Sequence, residues 1–94
     1  MKRHVVITTD QTKRGVFAGA LESQDGENVV LTDAQMCIYW SAGTRGVLGL
    51  AATGPAEGSR IGPRVPRIEL TGVTAVIDMT DEAVERWQTA PWTS

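Results

Sequence analysis

The sequence predicts a mainly-β domain: a small, strongly bent antiparallel barrel of about five strands, with one short internal helix and a helix at the C-terminal end. Three observations carry this. Short β-branched or alternating runs are separated by turn residues over the first half of the chain, as in small all-β folds. Asp25-Gly26, a strong short-range hairpin marker, stands between two of those runs. Near the end, acidic residues open a short amphipathic stretch, Thr80 to Trp87, that reads as a helix docked on the sheet. The chain has 94 residues, which fits one domain spanning 1–94 that buries only about 60–65% of its unfolded surface.

Val5 to Thr8, flanked by the Asp10-Gln11-Thr12 turn cluster, reads as the first strand. Val16-Phe17-Ala18-Gly19-Ala20-Leu21 is the second, with Phe17, Gly19 and Leu21 on one face. After the Asp25-Gly26 turn comes a long third strand, Asn28 through Trp40. Here Ala34, Met36, Ile38 and Trp40 alternate with Gln35 and Tyr39, and Asp33 marks a bend. Ser41 and Thr44 are both N-cap candidates for a short helix carrying Val47, Leu48, Leu50 and Ala51 and closed by Gly54-Pro55. Gly43, Gly46 and Gly49 each weaken that helix by about 1 kcal/mol relative to alanine. Residues 54–66, rich in glycine and proline, form a surface connection. Ile68 to Leu70 and Val73 to Met79 are two further β segments, or one strand bent at Gly72. The last helix starts at Thr80 or Asp81, contains a Glu82 to Arg86 i,i+4 pair and stops before Pro91. Its apolar side, Val84 and Trp87, is too small to stand alone.

Composition narrows the function classes. The chain has one cysteine and one histidine, so Cys37 has no partner for a disulfide within the chain, and Cys37 with His4 falls short of a structural zinc site. Cys37 reads as a small buried hydrophobe, and His4 as a solvated residue at the start of a strand. No metal site and no cofactor is expected. A Ser/His/Asp or Cys/His set has only His4 to draw on, and Gly43-x-x-Gly46-x-x-Gly49 lacks the lysine of a phosphate loop. The expectation is a protein that is not an enzyme. With 9 Lys and Arg against 11 Asp and Glu, the net charge is −2, which disfavours a general nucleic-acid binder. No segment has the length and apolarity of a membrane span, and the N-terminus lacks the apolar core of a signal peptide, so the expected location is cytoplasmic.

The candidate binding surface is Tyr39-Trp40-Ser41-Ala42-Gly43-Thr44-Arg45. It offers an indole face for stacking, backbone amides at a helix start, two hydroxyls and an arginine, which suits a nucleotide or phosphate. Also open is a structural reading in which Trp40 is core, Ser41 or Thr44 is a cap and Arg45 is solvated. Arg60, Arg64 and Arg67 are three of the nine basic residues, and from their Pro-rich loop they either complete an anion site with Trp40, Ser41, Gly43, Thr44 and Arg45 or serve solubility. A thin core, three tryptophans, including Trp87 and Trp92, and unpaired sheet edges predict a homo-oligomer that buries aromatic flanks between copies.

Two resemblances follow. Phe17-x-Gly19-x-Leu21-x-x-x-Asp25-x-x-Asn28-x-x-Leu31 resembles the first signature of the Sm-like family, which implies an SH3- or Sm-type small barrel and a ring as the form of the homo-oligomer. That family's second signature carries an Arg-Gly or Lys-Gly pair. Val73 to Ile77 supplies the strand without that pair, so an RNA-binding ring is the less favoured reading. Tyr39-Trp40-Ser41-Ala42-Gly43 together with Ile77-Asp78-Met79-Thr80-Asp81-Glu82 resembles a family of small uncharacterised domains encoded by phages and prophages. This likeness implies a bacteriophage protein acting inside a bacterial cell. The combined expectation is a non-enzymatic oligomer that captures a nucleotide-type small molecule as an anti-defence sponge. The alternatives are an Sm-like RNA-binding ring and a structural or protein-interaction domain of phage origin.

Overall fold

The computed structural model of the chain describes residues 3–9 and 15–89. Its elements are β1 (Arg3–Thr9), β2 (Val16–Asp25), β3 (Asn28–Tyr39), α1 (Gly46–Ala52), β4 (Arg60–Ile61), β5 (Val65–Leu70), β6 (Val73–Asp78) and α2 (Asp81–Thr89), with a 3₁₀ turn at Ala42–Thr44 ahead of α1. The Asp10-Gln11-Thr12 turn, the Pro91 stop and Trp92 lie outside the described residues.

The six strands form one antiparallel sheet in the order β4-β3-β2-β1-β6, with β5 also paired to β3. β5 and β6 are separated only by Thr71 and Gly72, and Gly72 sits at φ +69°. That left-handed conformation is one glycine adopts without Cβ strain. The first half of this bent segment pairs with β3, Leu31 opposite Ile68, and its second half pairs with β1, Ile7 opposite Val76. The segment thus joins the two sides of the sheet and curls it into a barrel-like shape. The expectation of a small, strongly bent β-sheet with two accompanying helices therefore holds.

Bulges set which side chains enter the core. Ala18 pairs with Gln35 and Ala20 with Thr32, so Asp33 and Ala34 together face Gly19. Asp33 takes φ +50°, the left-handed conformation that aspartate tolerates better than most residues. One extra residue reverses the alternation: Val29 and Leu31 point inward before the bulge, and Ala34 points inward after it. A Cβ on Gly19 would lie 2.9 Å from the Thr32 carbonyl oxygen and 3.1 Å from the Ala34 Cα. Only glycine lets β2 approach β3 this closely at the bend. At the hairpin, Gly26 at φ +61° occupies the first central position of the turn between Asp25 and Asn28, the glycine position of a type II′ hairpin.

The apolar residues divide into two layers. Val5, Ile7, Val29, Leu31, Ala34 and Leu70 fill the barrel, with Phe17, Leu21, Ile68, Val73 and Val76 against them. On the outer face of the sheet, Val6, Ala18, Cys37 and Ile61 meet Leu50 and Ala51 of α1 and Ala83 and Trp87 of α2. A domain this small fills one barrel poorly, and the second layer adds the burial that the interior lacks. At the start of α2, the Thr80 hydroxyl accepts a hydrogen bond from the Ala83 amide at 3.1 Å, an N-cap that stabilises a helix by about 1 kcal/mol. The Glu82 to Arg86 pair does not form an ion pair. Arg86 instead lays its stem against Gly54, where an added Cβ would come within 2.8 Å of the Arg86 Cβ.

Candidate functional site

The segment after β3 departs from the expected helix start. The chain makes a 3₁₀ turn, Arg45 adopts φ +68°, and α1 begins only at Gly46 with no side-chain cap. Ser41 and Thr44 are therefore not caps of α1. Their hydroxyls turn instead toward Ser59, whose loop runs back beside them. The Thr44 hydroxyl, fully buried, lies 3.2 Å from the Ser59 hydroxyl and accepts the Ala56 amide at 2.9 Å. The Ser41 amide donates to the Ser59 Oγ at 3.0 Å, and the two serine hydroxyls are 3.4 Å apart. Buried polar groups must be paired, and this knot of three hydroxyls pairs them while pinning residues 56–59 to the turn. Ser59 had no sequence marker, because it lies in a stretch whose glycines and prolines read as loop.

Beside the knot is an open depression of about 330 Å³ lined by Thr44, Arg45, Leu48, Gly49, Ala52 and Thr53. Leu48 is 70% exposed, although the helical spacing placed it on the buried face. Leu48 and Leu50, two residues apart, point about 200° from each other on a helix, so with Leu50 and Ala51 turned inward Leu48 faces out. Arg45 is exposed and has no ion-pair partner among the described residues. Trp40 is half-buried and packs against the outer core layer. Gly43 is exposed in the 3₁₀ turn.

The structure does not gather the three loop arginines around Arg45. Arg60 is exposed on β4, opposite Tyr39. Arg64 donates at 3.4 Å to the Asp33 carbonyl and lines a separate cleft with His4, Gln35 and Trp87. That cleft holds about 20 Å³, room for roughly one water. Arg67 lies on β5 opposite Thr32 and bridges Glu69 at 2.7 Å and Glu22 at 3.5 Å. Glu69, by hydrogen bond and by charge, and then Glu22 hold its guanidinium above the usual arginine range. Arg45 and Arg60 thus remain available as cations near the 39–45 segment, while Arg64 and Arg67 belong to other surfaces.

Groups with reactive potential are insulated. The Cys37 thiol is 5% exposed and is pushed up to about 11, chiefly by burial, against a smaller lowering by a backbone hydrogen bond at Tyr39. It stays protonated at neutral pH and is a poor nucleophile. Among the described residues, no three His, Cys, Asp or Glu side chains come together to hold a metal. Among the described residues, no helix is long and apolar enough to cross a membrane.

A second exposed surface escaped the sequence reading. After the Asp33 bulge, Met36 and Ile38 share a face of β3, and Val65 stands opposite Ala34 on that same side. They are 40%, 61% and 38% exposed. The alternation that suggested an inward face does hold, but the barrel has curled away from the end of the strand, leaving those side chains uncovered.

A family model described as Domain of unknown function (DUF6948) matches residues 2–87. The chain belongs to the DUF6948 family. The DUF6948 match runs from β1 nearly to the end of α2, so the barrel, the hydroxyl knot and the Arg45 depression all lie within the family domain. No curated protein and no solved structure matches the chain.

Proposed function

We propose that this DUF6948 domain is a non-catalytic, oligomeric binding protein that captures a nucleotide-type small molecule beside Arg45. The observation that carries this reading is the pairing of Leu48 and Arg45 at one depression. An apolar side chain is held out to solvent next to a cation with no acidic partner among the described residues. A nucleotide needs both surfaces, an apolar floor for the base and a cation for the phosphate. At about 330 Å³ the depression falls at the lower end of small-molecule sites, roughly 300–1,000 Å³. Catalysis is disfavoured because the hydroxyls of the knot are bonded to one another without an imidazole or carboxylate, and the only thiol stays protonated. The resemblance to small phage-encoded domains supports a viral sponge that removes a nucleotide signal in the bacterial cytoplasm. An Sm-like RNA-binding role is less favoured, because Arg67 is engaged by Glu22 and Glu69.

The test is a melting screen over cyclic and linear nucleotides. A ligand present at 100 times its dissociation constant adds about 2.7 kcal/mol of stability. Arg45→Ala removes an exposed group and is expected to abolish the shift without changing the melting point of the free protein. A flat screen across all nucleotides refutes the proposal.

The face of Met36, Ile38 and Val65 favours a second reading, a structural domain that buries this face against another copy of itself. Ile38→Asp then dissociates the assembly, whereas nucleotides have no effect.

A further inference from the structure

The last carbonyls of a helix have no partner within it, and in α1 most of them are met from α2 or its N-cap. The Trp87 indole donates to the Leu50 carbonyl at 3.0 Å, the Thr80 amide to Ala51 at 3.0 Å and the Thr80 hydroxyl to Ala52 at 2.6 Å. The same Thr80 hydroxyl accepts the Ala83 amide and so caps α2. Just beyond α1, Gly54 lies against the stem of Arg86. At seven and nine residues, α1 and α2 are too short to be helical alone. Each keeps its shape by docking, and each docks partly on the other. Removing α2 leaves three carbonyls of α1 without these donors, and removing α1 leaves the Trp87 indole without its acceptor.

Both helices are appended to the sheet without pairing in it. Residues 45–55, which carry α1, form an excursion closed at its base by the Ala56 amide on the Thr44 hydroxyl. Arg45 and Gly54, one on each side of α1, take φ +68° and +86°. α2 follows β6, where the Met79 amide makes a bond to the His4 carbonyl just before the helix begins. The outer apolar layer holds the pair down, and it is the weaker of the two layers. Of its eight buried residues among those described, Ala18, Cys37, Ala51 and Ala83 are small, whereas the barrel interior has Ala34 alone among six. Burial free energy follows apolar area, and strand ladders also close the barrel, so the outer layer opens first.

We propose that α1 and α2 form one cooperative cover that comes off the folded barrel as a unit, uncovering Val6, Ala18, Cys37 and Ile61 while the sheet stays intact. The hydroxyl knot remains with the sheet and keeps the ends of the α1 excursion together. The open form is the one in which the Cys37 thiol meets solvent. This device stands whether or not a nucleotide binds at Arg45.

Hydrogen exchange of the full chain, followed by NMR in rising subdenaturing urea, tests it, with alkylation of Cys37 by iodoacetamide as a second readout. The expected result is one opening shared by the Thr53, Gly54 and Val84 amides, reached more often than the opening that frees the Val6 and Ile7 amides of β1. Alkylation of Cys37 is expected to give the same opening constant as the helix amides. Trp87→Phe removes the bond to Leu50 and is expected to accelerate exchange of both helices, and alkylation, about fivefold. Gly19→Ala strains the barrel, which stays folded in the open form. It is expected to accelerate the β1 amides while leaving the helix amides and Cys37 alkylation unchanged. If Gly19→Ala does not fold, the wild-type chain is sufficient, because a cover exposes less surface and its urea slope is smaller than that of β1. Helix amides that exchange only together with those of β1 overturn the proposal. Separate openings of α1 and α2 overturn it as well, and so does alkylation of Cys37 that follows β1.

Discussion

The indole N–H of Trp87 donates a hydrogen bond to the backbone carbonyl of Leu50 at 3.0 Å, in the layer between α2 and α1. Trp87 is 3% exposed, so this residue is spent inside the chain and not between copies. Trp87→Phe keeps most of the packing and leaves the Leu50 carbonyl without its donor, at an expected cost of about 1 kcal/mol. Trp87→Ala also opens a cavity and is expected to cost about 3–5 kcal/mol. Urea denaturation of both variants separates the two contributions, and equal losses would mean the hydrogen bond adds nothing.

Gly19→Ala is expected to destabilise the domain by about 1–3 kcal/mol, because the new methyl meets the Thr32 carbonyl and the Ala34 backbone and neither has room to withdraw. Gly26→Ala is expected to cost less, since nothing lies within 4 Å of the added carbon and only the φ of +61° is strained. Thermal melts of the pair rank close approach against backbone strain. The reverse order would show that β2 and β3 separate easily at the bend.

Thr44→Val replaces the hydroxyl at the centre of the knot with a methyl and orphans the partly buried Ala56 amide, for an expected loss of about 1–3 kcal/mol. Thr44→Ser retains the hydroxyl and is expected to recover most of that loss. If valine proves as stable as wild type by calorimetry, residues 56–59 are held by other contacts.

Burial of Cys37 predicts a pH dependence whose sign is fixed. The thiol is raised from 9.0 to about 11 in the folded chain, so the folded state holds its proton more tightly than the unfolded state does. Its contribution to stability is fully present below pH 9, and it is lost as pH rises from there through about 11. Cys37→Ala removes that decline, and comparing unfolding curves of the two proteins across this window isolates it from other alkaline titrations. Thiol-directed alkylation of the folded chain at neutral pH is correspondingly slow, and rapid labelling would refute the insulation of Cys37.

Much of the fold was legible because its devices are local. Asp25-Gly26 set a hairpin, Asp33 marked the bulge, Gly72 marked the bend between β5 and β6, and Thr80 capped α2, each through a conformational preference of the residue itself. The candidate site was less legible because it depends on distant partners. Ser41 and Thr44 have good capping side chains, but Ser59 and the Ala56 amide compete for them, and nothing near Ser59 in the sequence announces that. Arg60, Arg64 and Arg67 are close in sequence, yet each faces a different neighbour. The strand that carries them turns between β4 and β5, so nearness along the chain is not nearness in space. Leu48 was grouped with Leu50, but residues two apart on a helix lie on opposite sides, so burying Leu50 turns Leu48 out.

Because the bent segment at Gly72 supplies strand partners to both β3 and β1, the first strand made during synthesis has one of its two neighbours only after residue 78 has emerged. Val5 must wait for Asp78, while β2 and β3 zip together early. Such distant pairings make closure slow relative to hairpin formation. A nascent or truncated chain lacking β6 keeps β4 and β5 on β3 but leaves β1 as a bare edge, the form in which this domain is most exposed to misassembly.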